Sequence, residues 1–131
     1  MNTSDQVSIR RSILGRARGR GAARAGFALW WTQRVTAVAL VPLTLWFISA
    51  IIGLESASRA DVAGWLHSPL ALALMLALIA ATFWHMAIGL GEVIADYVHG
   101  EGTKLAALLA VRGLSVLLAL LCAIAVLRLG L

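Results

Sequence analysis

The chain has 131 residues, 61% hydrophobic and 13% charged, with a mean hydropathy of +0.91. A soluble domain of this size is nearer half apolar and a quarter charged, so these values exclude an ordinary water-soluble core and point to one membrane domain. The net charge of +5 sits mostly in an arm that leads straight into an apolar run; such an arm sets topology and binds lipid headgroups rather than nucleic acid.

Residues 1–29 form that basic N-terminal arm, and residues 30–131 the transmembrane domain. Seven of the eleven Lys and Arg residues fall in the first 34 positions: Arg10, Arg11, Arg16, Arg18, Arg20, Arg24 and Arg34. The arm, rich in Gly, Ala and Arg, is expected to be flexible or to lie on the membrane surface. Arg10-Arg11-Ser12 faintly resembles a twin-arginine export signal. The apolar run, however, starts about twenty residues later and is too long for a signal-peptide core, so a retained signal anchor is expected.

Three apolar segments follow, at about 33–54, 69–94 and 105–129. Each reaches the roughly 20 residues that a helix needs to cross the hydrocarbon core. None carries a polar face along its length, which argues against surface-lying helices. An all-α membrane protein with three transmembrane helices is therefore predicted. The first connection is short and polar, and Pro69 suits the first turn of the second helix. The second connection, DYVHGEGTK, holds two glycines and much of the remaining charge. The arm, Arg34 and Lys104 outweigh Arg59 and Arg128, placing the N-terminus and the second connection on the cytoplasmic side. A bacterial inner membrane is expected, or the mitochondrial inner membrane in a eukaryote. Cys122, the single cysteine, permits no internal disulfide and reads as a helix-packing residue.

The second apolar segment is not plain. His85, Gly89, Glu92 and Asp96 fall at +0, +4, +7 and +11, within about 60° of one another on a helix. Acids on a lipid face are costly, so this face turns toward a bundle interior or cavity. Eleven residues put His85 about 16 Å from Asp96, near the bilayer midplane. An imidazole at that depth needs a proton path, a hydrogen bond across helices, or a metal. Gly89 leaves room one turn away for something flat and wide such as haem, or simply lets helices pack closely. His67 and His99 lie too far along the chain to share an iron with His85, so a second histidine ligand would come from another subunit. Asp96 and Tyr97 at the interface suit a quinone carbonyl and its protons; equally, Tyr is common there and Asp can end a span. Arg34 and Arg112 could meet carboxylates such as haem propionates, while snorkelling accounts for Arg34 as well.

His85 with Gly89 four later and Asp96-Tyr97-Val98 at +11 to +13, together with Arg34-Val35-Thr36-Ala37, resembles the hydrophobic membrane anchors of succinate dehydrogenase (respiratory complex II). The resemblance spans about residues 30–129. It implies that His85 is an axial ligand of a b-type haem, with the other ligand supplied by a second membrane anchor. It implies that Tyr97 hydrogen-bonds ubiquinone, that Asp96 supports that site, and that Arg34 lies near the haem propionates. Iron–sulfur and flavoprotein subunits would dock on the cytoplasmic face, and electrons from succinate would reach quinone. This chain would not be catalytic alone. Two other readings remain open: a haem-free structural anchor in which His85 bonds across helices, and a small transporter subunit with a His85–Glu92 proton path.

Overall fold

The computed structural model describes the backbone from Ile13 to Leu131 and side chains from Gly26 onward; the arm's first twelve residues, Arg10 and Arg11 among them, lie outside the described residues. Among the described residues four helices run in chain order: α1 (Ile13–Gly53), α2 (Arg59–Leu66), α3 (Pro69–Tyr97) and α4 (Glu101–Gly130). Three are long and apolar enough to cross a membrane, over Gly26–Gly53, Pro69–Tyr97 and Glu101–Gly130. The three predicted spans thus stand, and the chain is a multi-pass membrane protein.

Two elements differ from the sequence reading. From Ile13 onward the arm is helical, in one helix with the first span, a conformation that the sequence reading did not specify. Its Ala, Leu and Arg residues favour helix, and no proline interrupts it before Pro42. The first connection contains α2, which the sequence reading passed over. Ser58 caps it: its hydroxyl accepts from the Asp61 N–H at 3.3 Å, and the Asp61 carboxylate accepts from the Ser58 N–H at 2.9 Å. This reciprocal box satisfies two donors that a helix start leaves unpaired.

The chain divides into two compact units, Met1–Thr32 and Gln33–Leu131. In the first, Phe27, Trp30 and Trp31 are exposed, with the Phe27 and Trp30 rings stacked at 6.1 Å. In the second, α3 and α4 form an antiparallel hairpin. At the end of the hairpin where α2 lies, that helix is fastened twice. Trp65 of α2 stacks on Trp46 of α1 at 5.6 Å, a pairing worth about 1 kcal/mol beyond area burial. Leu66 is buried, and its carbonyl would lie 3.1 Å from a Cβ placed on Gly130 of α4. A side chain at Gly130 would require its neighbours to give by a few tenths of an ångström. At the opposite end, Lys104 Nζ donates to the Ala95 carbonyl at 2.7 Å, supplying a cation to the last turn of α3 where the helix leaves carbonyls unpaired.

Few side chains in the described spans are buried: Ala71, Leu78 and Ser115 are the main ones. In water this would be a failed core. In a bilayer the exposed Leu, Ile and Val surface meets lipid or other helices at no such cost.

Candidate functional site

His85 lies mid-way along α3, half-buried, with its ring turned toward α1. Its Nδ1 is 3.0 Å from the Thr36 hydroxyl oxygen. One turn along the same face, Gly89 meets Gln33 of α1: a Cβ there would come 3.3 Å from the Gln33 side-chain nitrogen. Gln33 and Thr36 are three apart, His85 and Gly89 four apart, so each pair occupies one face of its helix. The result is one polar contact, Thr36 to His85, beside a close approach of the Gln33 side chain to Gly89. Its remaining loose end is the Gln33 Oε1, which is buried and has no hydrogen-bond partner. Buried amide oxygens without partners are uncommon.

The other residues singled out from sequence lie apart from this contact. Asp96 and Tyr97 close α3, both exposed, Tyr97 at 79%. Helix α3 stops there because Val98 adopts an extended conformation, its N–H still bonded to the Ile94 carbonyl at 3.0 Å. Glu92 is also exposed. Arg34 is exposed on α1, and its Cα lies about 160° around the helix from Thr36. Arg112 of α4 lines a groove of about 680 Å³ with Phe83, Trp84 and Ala87 of α3 and Ser115 of α4. Phe83 and Ala87 lie roughly opposite His85 around α3. Within this chain the structure therefore brings His85 and Gly89 together with α1, and brings neither arginine to that face. His67 caps the end of α2 and His99 follows α3, at opposite ends of the span.

Sequence reasoning passes over the residues that meet His85. Thr36 figures there only within a four-residue resemblance, and Gln33 not at all. A usable signal was present, since Gln33 and Thr36 are polar, three apart and inside an apolar span. Among the described residues, no group of three or more His, Cys, Asp or Glu side chains converges. A site built wholly from such ligands, like a structural zinc site, is not assembled there. A single histidine does suit a group that brings its own equatorial ligands, as a porphyrin does. The donor chemistry and the turned ring fit that group.

Residues 8–127 match the family described as succinate dehydrogenase/fumarate reductase transmembrane subunit. The chain is 26% identical over 107 residues to the succinate dehydrogenase hydrophobic membrane anchor subunit of Rickettsia bellii (strain RML369-C), an alignment spanning 82% of this chain and 86% of the relative. It is 26% identical over 99 residues to the succinate dehydrogenase membrane anchor subunit of Reclinomonas americana, spanning 71% of this chain and 80% of that one. No solved structure matches.

Proposed function

Since the chain belongs to the succinate dehydrogenase/fumarate reductase transmembrane subunit family, we propose that it is the anchor that shares a b-type haem and a quinone-reduction site with a second membrane anchor. The observation that carries this reading is His85: a lone imidazole deep in a span, held by Thr36 at one ring nitrogen. Its other nitrogen would hold the haem iron from this chain, and the second anchor would supply a further ligand. The haem, when bound, supplies a one-electron store between the iron–sulfur protein and quinone.

The residues at the inner end of α3 do the rest. Tyr97 is exposed and donates its phenolic hydrogen to a quinone carbonyl; Asp96 beside it supports that site and takes up the proton that replaces it. Lys104 holds the last turn of α3 in place through the Ala95 carbonyl. Arg34 and Arg112 carry the positive charge that carboxylates such as haem propionates would meet across the boundary with the partner anchor. Iron–sulfur and flavoprotein subunits dock on the cytoplasmic side of an inner membrane, and succinate is handled there.

A second reading draws on the same contact. A Thr36–His85 hydrogen bond across helices is also what a haem-free structural anchor would use. The reduced-minus-oxidised visible spectrum of the purified complex separates the two. A sharp b-type α band, lost or shifted in His85→Ala, supports ligation. A spectrum that His85→Ala leaves unchanged overturns it and leaves the structural anchor.

A further inference from the structure

On the reading that His85 ligates haem, we propose that Thr36 is a positioning residue that fixes the tautomer and donor strength of the ligating imidazole. Thr36 Oγ1 lies 3.1 Å from the Gln33 carbonyl oxygen and 3.0 Å from His85 Nδ1. A hydroxyl has one hydrogen to give, and a carbonyl can only accept. With its hydrogen given to the Gln33 carbonyl, as that contact allows, Thr36 presents a lone pair toward the ring. A neutral imidazole meets that lone pair by carrying its proton on Nδ1, which leaves Nε2 unprotonated. That is the form in which Nε2 binds a metal. The opposite assignment, with Thr36 donating to Nδ1, would put the ring proton on Nε2 and block it.

Other span hydroxyls show what a bland role looks like. Thr44 and Ser49 on α1 and Ser115 on α4 bond back to carbonyls of their own helices. Thr36 does this and also reaches a second helix. Donation from Nδ1–H to Thr36 makes the ring a stronger electron donor, which favours the oxidised iron and lowers the haem potential. Helix α1 thus tunes a ligand that α3 carries.

The test compares wild type, Thr36→Val, Thr36→Ser and His85→Ala in the assembled complex, by haem content and redox titration of the α band. With haem retained, Thr36→Val should raise the reduced-to-oxidised ratio at fixed potential about tenfold, or about 59 mV for a one-electron couple. Thr36→Ser, which keeps the hydroxyl, should restore the wild-type value. Haem loss in Thr36→Val with recovery in Thr36→Ser also supports the role. An unchanged potential in Thr36→Val, or equal disturbance in both Thr36 variants, overturns it while leaving ligation by His85 intact. A wild-type spectrum in His85→Ala overturns the ligation reading, and this role of Thr36 with it.

Discussion

His85 and Tyr97 are twelve residues apart on one helix, yet their surroundings assign them different work. His85 is half-buried and turned toward a hydroxyl on α1; Tyr97 is exposed where the span ends. The proposed quinone contact therefore belongs to a side chain that can be altered without disturbing packing. Tyr97→Phe is expected to lower quinone reduction about 100-fold while leaving the haem band unchanged. Succinate oxidation with a soluble acceptor, measured on the same preparation, should stay at the wild-type rate. Equal loss of both activities would show that Tyr97 matters for assembly instead. At this scale the sequence was informative about chemistry and poor about company. His85 stood out because a titratable ring is costly inside an apolar run. Gln33 and Thr36 stood out only as polar residues in an apolar span; that they meet His85 could not be read, because helical periodicity shows which residues share a face but not which face meets which helix.

At the scale of elements, the three spans were legible because a run of about 20 apolar residues has few alternatives to a membrane helix. Their inner limits were set less well: α3 continues to Tyr97 and α1 begins before the apolar run does. Helix α2 escaped notice because eight residues of mixed character carry no periodic signal, although Ser58 and Asp61 already stood at capping-box spacing. That box has a pH dependence. The Asp61 carboxyl is held below its ordinary value of 3.8, chiefly by the Ser58 hydroxyl and then by the Ser58 backbone N–H. A group whose folded value is depressed stabilises the fold above the unfolded value and ceases to do so as pH falls through the folded one. The start of α2 should therefore be fully ordered above about pH 3.8 and fray as pH drops below it. Amide exchange of residues 59–62 in the detergent-solubilised complex would show this, and Asp61→Asn should flatten the dependence. Separately, Ser58→Ala should cost the helix start about 1 kcal/mol.

For the whole molecule, three spans and an excess of arginine before the first place the N-terminus and the α3–α4 connection on one side, and α2 on the other. Cys122 is the only cysteine, so in a Cys122→Ser background single cysteines report topology cleanly. A membrane-impermeant maleimide added outside intact cells should label Ser56→Cys and spare Glu101→Cys; the reverse pattern would invert the orientation. That asymmetry meets another one. The outer end is closed by α2, with Trp65 stacked on Trp46 and Leu66 seated against Gly130. Between His85 and that closed end, residues 69–84 of α3 include no acid, base or histidine, and neither do residues 35–53 of α1 or 113–127 of α4. Glu55 and Asp61 lie beyond the spans at the closed end, whereas at the opposite end Glu92, Asp96 and Tyr97 fall on α3 itself. Protons consumed when quinone is reduced would then come from the same side as the electrons, and turnover would separate no charge across the bilayer. Purified complex in sealed vesicles should oxidise succinate without polarising a potential-sensitive dye. As an energy-conserving device the protein would be silent, delivering reducing equivalents to the quinone pool and leaving the membrane voltage to other machines.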